Sequence, residues 1–357
     1  MVSLQKGRIP ALDFLRGIAI VLVLFRHLNI SGGGLFNLGA RFLNGGGWVG
    51  VDLFFVLSGF LVSGLIFNEY ETRGSFNPWR FFVRRGFKIY PVFYLFLAIT
   101  FGMTLYWHFA TPERTRRYLY EALFICNYTR LKPEHDWLWS LCVEEHFYLL
   151  LCVLMVILIR TRQMTARMFG IIYLLFLVVG LTLRTYHLYH DEKMNLYTGY
   201  SHLRFDALFF GVLLAFLYRY GDLRKYRSAV LTAVAVAGVL LPFFFTRYAG
   251  RDQGLNTVVF LSTNPICFGY LMIRMLETRA AWMRGFAYIG KYSYSIYVFH
   301  GWVNAGCYRH FSGWKYYACY FLGSLAVGII ISKLVEYPFL AIRDRFFPSL
   351  SKGSKAA

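Results

Sequence analysis

Charge is what this sequence has least of. Only 16% of its 357 residues are Asp, Glu, Lys or Arg, against about 25% in an ordinary soluble domain. Acidic side chains are the scarcest, 18 against 38 Lys and Arg. Metal-ligand patterns are missing too. The nine histidines include no HExxH spacing and the six cysteines no CxxC, so no resident metal is expected. There is no internal repeat and no low-complexity tract. What is present is apolar: 57% of residues are hydrophobic and the mean hydropathy is +0.47. That composition reads as an all-α integral membrane protein. The net charge of +20 would suit a nucleic acid if it formed one patch. It is spread instead over short loops between apolar runs, which argues against that partner. The cysteines lie in or beside those runs and are expected to be unpaired small residues of the core or the lipid face.

A helix that spans a bilayer needs about 20 apolar residues. Ten stretches qualify, at 11–30, 47–68, 90–109, 137–159, 168–188, 201–218, 228–245, 255–276, 286–307 and 317–338. A further apolar piece, 118–129, is too short to span and is expected to be re-entrant or interfacial. The first run holds Arg16 and lacks a small-residue cleavage site, so it reads as a span and not as a removed signal. Residues 1–345 are expected to form one transmembrane domain and 346–357 a disordered tail. Placing the N-terminus inside puts the larger share of Lys and Arg in inner loops, so both termini are expected to be cytoplasmic.

The ionisable residues inside the runs carry the information, because each costs at least about 2.5–3.5 kcal/mol at a bilayer centre. In LDFLRGIAIVLVLFRHLN (12–29), Arg16 and His27 share one helix face about 16 Å apart, with Asp13 on the same face. Snorkelling to the interface would explain either residue alone. It explains less once Asp52, the adjacent pair Glu144 and Glu145, Arg204 with Asp206, and His300 are found in other runs. On the topology above these join His27 in the outer halves of their helices, while Arg16 and Lys291 lie in the inner halves. A polar layer shared by five helices implies a cavity and a substrate path. The stretch NPWRFFVRRGFKIYP packs Arg80, Arg84, Arg85 and Lys88 into nine residues. It serves either topology or anion binding. Its interleaved Phe81, Phe82 and Phe87 fit an interfacial helix.

These segments together resemble the membrane-bound acyltransferase 3 family. The resemblance rests on Arg16 and His27 in the first span, GVDLFFVLSGFL (50–61), RRGFKIYP (84–91), WSLCVEEHFYL (139–149), RFDALFFG (204–211), YSYSIYVFH (292–300) and VEYPF (335–339). It implies a multi-pass enzyme of the bacterial inner membrane. Such an enzyme moves an acyl group, commonly acetyl, from acyl-CoA to a hydroxyl of a glycan or glycolipid, such as exopolysaccharide or the O-antigen of lipopolysaccharide. It assigns the central catalytic role to His27 and the coenzyme phosphates to Arg85 and Lys88, beside Arg84. Two departures stand out: Lys88 replaces the usual Arg, and His146 the usual Gln.

Acyl transfer to an alcohol needs a base, a stabilised oxyanion and a positioned thioester. An imidazole titrating near neutrality makes His27 the base. Glu144, Glu145 and Asp52 are candidates to orient it, and the two glutamates point about 100° apart on a helix. Arg16 would hold the entering coenzyme. His300 and the Arg204/Asp206 pair serve the acceptor or pair with each other structurally. Glu336 is expected in a structural ion pair. The rival reading is a secondary transporter, which would also line its spans with charge but tends to show an internal repeat. A non-catalytic scaffold would need neither the polar layer nor the basic loop.

Overall fold

Pro10 opens the first helix, supplying the fixed φ that suits a helix start. In this computed structural model the described residues are 9–129, 131–190, 199–226, 228–248, 253–276, 278 and 280–348. Among them there are fourteen α-helices and no strand. In chain order these are α1 (Pro10–Arg26), α2 (Leu35–Gly46), α3 (Val49–Arg73), α4 (Pro78–Tyr106), α5 (Pro112–Ala122), α6 (Trp139–Arg160) and α7 (Ala166–His190). There follow α8 (Phe205–Tyr220), α9 (Ala229–Tyr248), α10 (Gln253–Met275), α11 (Arg284–Lys291), α12 (Ser293–His310), α13 (Gly313–Ile331) and α14 (Tyr337–Phe346).

The expected apolar runs lie largely on helix, but not all ten stand out as spans. Among the described residues six helical runs are long and apolar enough to cross a membrane: Val49–Arg73, Pro78–Tyr106, Asp136–Arg160, Ala166–His190, Val258–Met275 and Gly313–Phe346. Helices α1 and α8 have only 17 and 16 residues, and the ninth run breaks at Tyr292 into α11 and α12. These shorter helices are sheltered by neighbours, and several of their polar residues face protein. The piece 118–129 divides between the end of α5 and a 3-10 turn at Cys126–Tyr128. The basic stretch is helical, though continuous with a span: Asn77 caps α4 by accepting from the Arg80 amide at 3.1 Å, and Pro78 follows. The expected tail begins ordered, since Arg84 and Arg80 donate to the carbonyls of Phe347 and Pro348. Residues 349–357 lie outside the described residues.

Close approach of backbones builds the centre. A Cβ on Gly290 of α11 would fall 1.8 Å from the Asp13 carbonyl oxygen of α1. A Cβ on Gly59 of α3 would fall 1.9 Å from that of Leu208 on α8. Small residues are what let membrane helices meet this closely. The cysteine expectation needs correction at one place: Cys307 of α12 and Cys319 of α13 form a disulfide. The turn at 311–312 folds α13 back along α12 and brings the two together.

Candidate active site

Helix α1 ends at Arg26, and His27 caps it. Its Nδ1 lies 3.0 Å from the Val23 carbonyl and 3.3 Å from Nε2 of His300. The rings meet edge to face with centroids 4.8 Å apart. His300, fully buried in α12, has its own Nδ1 2.6 Å from the Tyr297 carbonyl. A carbonyl can only accept, so the network assigns the proton to Nδ1 on both rings. His300 Nε2 then accepts from His27, and His27 Nε2 is the nitrogen with the free lone pair. Two histidines thus form a dyad in which one imidazole orients the other.

Several side chains fix this corner. Asn304 donates to the His27 carbonyl and accepts from the Tyr316 hydroxyl. The Asn44 amide of α2 lies 2.9 Å from the carbonyls of both Phe25 and Arg26, satisfying the orphan acceptors at the end of α1. Trp137 stands over the dyad with its ring 5.5 Å from His300, and its Nε1 donates to the Val298 carbonyl at 3.1 Å. The loop carrying Trp137 is held by buried Glu121, which accepts from the His135 amide and ring at 2.7 and 2.8 Å. Asp136, beside Trp137, adds a carboxylate to the same loop.

Two adjoining cavities, of about 120 and 240 Å³, lie between the dyad and the basic start of α4. Arg16, Leu61, Arg85 and Lys88 line both. The cavity nearer the dyad also receives Glu144, Tyr148, Lys291 and Tyr297. Tyr297, one of its lining residues, has its ring 5.6 Å from that of His300 and its hydroxyl 2.5 Å from Ser140 Oγ, while neither histidine of the dyad itself lines the two cavities. The other cavity adds Arg80, Arg84 and Arg343 against a single carboxylate, Glu69. So dense a cationic lining, with Nε of Arg85 buried and unpartnered, fits a polyanion.

The expected single polar layer divides into three groups. His27 and His300 form the first. Glu144 belongs to the second: it accepts from Tyr148 Oη at 2.6 Å and Ser58 Oγ at 3.2 Å and faces the cavity. Glu145 turns away to Tyr90 on α4, at 3.2 Å. In the third group Asp52 pairs with Arg204, and Asp206 with Arg184 at 2.5 Å. Asp52 therefore does not orient His27, and Arg204 and Asp206 are not each other's partners. Their spacing of two along one helix turns them apart, toward α3 and α7. Glu336 makes the expected structural pair, and its partner is Lys88, with Ser295 and Ser332 also donating to the carboxylate. Arg16 lies 3.7 Å from Asp13, and Arg84 lies 3.4 Å from Asp344. His146, the departure from the family pattern, bonds Ser201 Oγ at 2.7 Å. Arg184, Asn44, Asn304, Asp136 and Trp137 were missed. Arg184 had a signal, a charge inside an apolar run; the others sit in segments whose composition is ordinary.

An acyltransferase domain family model matches residues 9–333. The chain is 24% identical over 326 residues to the peptidoglycan O-acetyltransferase OatA of Listeria monocytogenes, covering 83% of this chain and 49% of that protein. It is 27% identical over 318 residues to the O-acetyltransferase OatA of Staphylococcus aureus, covering 82% of this chain and 50% of that one. The chain thus spans about half the length of these curated relatives. No solved structure matches it. With the family model matched over nearly its whole length, the chain belongs to the acyltransferase 3 family.

Proposed function

We propose that this chain transfers an acetyl group from acyl-CoA, entering at the basic end of the bundle, to a glycan hydroxyl presented at the His27 end. One observation carries the reading: Arg16, Arg85 and Lys88 line both cavities, and Tyr297, which lines the one nearer the dyad, has its ring 5.6 Å from that of His300. A cationic route that finishes beside a base suits a substrate with phosphates at one end and a thioester at the other. Arg80, Arg84 and Arg85 offer guanidinium forks to the phosphates. Arg84 and Lys88 would exchange their present partners, Asp344 and Glu336, for them.

At the dyad, His27 Nε2 takes the hydroxyl proton as the oxygen attacks the thioester carbon. The C–O bond forms, the C–S bond breaks, and the coenzyme thiolate leaves with the proton. His300 accepts from His27 Nδ1 and so steadies the imidazolium formed in between. The names of the relatives favour a cell-wall glycan as acceptor, in the same class as exopolysaccharide or O-antigen. The reading places the protein in the bacterial inner membrane with both termini cytoplasmic. The arginines of α4 and α14 support that side as the inner one. The disulfide at the dyad end supports the other as the oxidising one.

The test is release of free thiol from acetyl-CoA by purified protein supplied with glycan acceptors, scored together with ester formation. Wild type should show both and His27→Ala neither. Thiol release by His27→Ala at the wild-type rate would refute the reading.

A further inference from the structure

Four of the six cysteines gather at the dyad end of the bundle, and they gather in pairs. Cys307 and Cys319 are already joined. Cys126, in the 3-10 turn before the Trp137 loop, and Cys142, in the first turn of α6, are buried thiols with sulfurs 3.3 Å apart. Cys152 and Cys267 lie apart from them, farther along α6 and on α10. Among the described residues no three His, Cys, Asp or Glu side chains come together to hold a metal. The contact between the two sulfurs of the Cys126–Cys142 pair is close enough for oxidation to join them.

We propose that Cys126 and Cys142 form a second disulfide in the mature protein. Closing the sulfurs to bond length requires about 1.3 Å of movement, within reach of side-chain rotation and a small shift of the turn. The environment is the right one, because the neighbouring Cys307–Cys319 bond marks this end of the bundle as exposed to oxidation. The step is thiol–disulfide exchange with an external disulfide. The thiolate of one cysteine attacks a sulfur of that donor, forming a mixed disulfide and releasing one donor thiol. The second cysteine, as thiolate, attacks the protein sulfur of the mixed disulfide and expels the other donor thiol. Two protein thiols are oxidised and one donor disulfide is reduced to two thiols. Exchange precedes packing, since a buried thiol is poorly ionised.

The bond has a consequence for the site. The segment between the two cysteines carries Trp137, whose ring lies 5.5 Å from that of His300, and His135, whose ring lies 5.3 Å from that of Trp137. A Cys126–Cys142 disulfide ties the start of that segment to α6, where the segment ends, so that Trp137 is anchored from both sides.

The test is a count of thiols in the wild-type chain. Membranes are denatured without reductant in an excess of maleimide–polyethylene glycol, and the protein is then scored by gel shift and by mapping of linked peptides. Two modified cysteines, Cys152 and Cys267, with a linked Cys126–Cys142 peptide pair, are expected. The Cys126→Ser chain should show three, the third being Cys142. Four modified cysteines with only Cys307–Cys319 linked would overturn the second disulfide while leaving the sidedness of the bundle intact. Six would overturn both.

Discussion

On the proposed mechanism His27 acts as a base through the nitrogen its neighbours leave unprotonated. The Val23 carbonyl and His300 both engage Nδ1, so Nε2 is the reactive atom. His27→Ala should lower turnover by about 10²–10⁴-fold, the usual worth of a positioned general base, with normal membrane insertion. Near-normal ester formation by a well-expressed variant would refute the assignment. His300→Ala removes an acceptor from a group that becomes charged, an interaction worth about 1.5–3 kcal/mol. Turnover should therefore fall about tenfold or more, with KM for acetyl-CoA little changed. The two glutamates separate cleanly. Glu144→Gln perturbs the Ser58–Tyr148 cluster on the cavity wall and should slow the reaction. Glu145→Gln keeps the shape of a side chain that faces Tyr90 and does not line the cavity, and should leave the rate within about twofold. Kinetics of the two variants side by side decide the matter.

At the scale of elements, the bundle depends on helices whose backbones nearly touch. Gly290→Val would drive a side chain into the Asp13 carbonyl of α1, the helix that presents Arg16 and His27. Overpacking of this kind costs about 1–3 kcal/mol. Thermal stability in detergent should drop for Gly290→Val and hold for Gly285→Val, whose Cβ has open space. Equal melting of the two would contradict this packing. Helix positions were legible from the chain because each apolar run is long and uninterrupted, and the break at Tyr292 was not, because Tyr and Ser there remain compatible with either outcome. His27 and Arg16 could be singled out as candidates too, since an ionisable group in a span demands a reason, and Arg85 by its basic cluster. Partnerships were not. Asp52 meets Arg204 across 152 positions, and which carboxylate finds which guanidinium depends on helix rotation, to which composition is blind. The ties of Asn44 and Asn304 to the end of α1 were hidden for the same reason.

Taken whole, the molecule is polarised. Arginines crowd one end, a histidine dyad and a disulfide occupy the other, and a cavity lined by Arg16, Arg85 and Lys88 lies between them. Arg85→Ala should raise KM for acetyl-CoA about tenfold, the loss of roughly 1.4 kcal/mol of charge-assisted binding, and change turnover less. A fall in turnover with unchanged KM would detach Arg85 from the phosphates. The central claim is that donor and acceptor approach from opposite faces. Native membrane vesicles test it directly, because they contain the acceptor and can be sealed in either orientation. Labelled acetyl-CoA, which does not cross the bilayer, is added outside. The account predicts labelled ester only in inverted vesicles, and ester that an added esterase removes only after detergent opens them. Labelling of right-side-out vesicles, or ester in intact inverted vesicles that the external esterase removes at once, would contradict it.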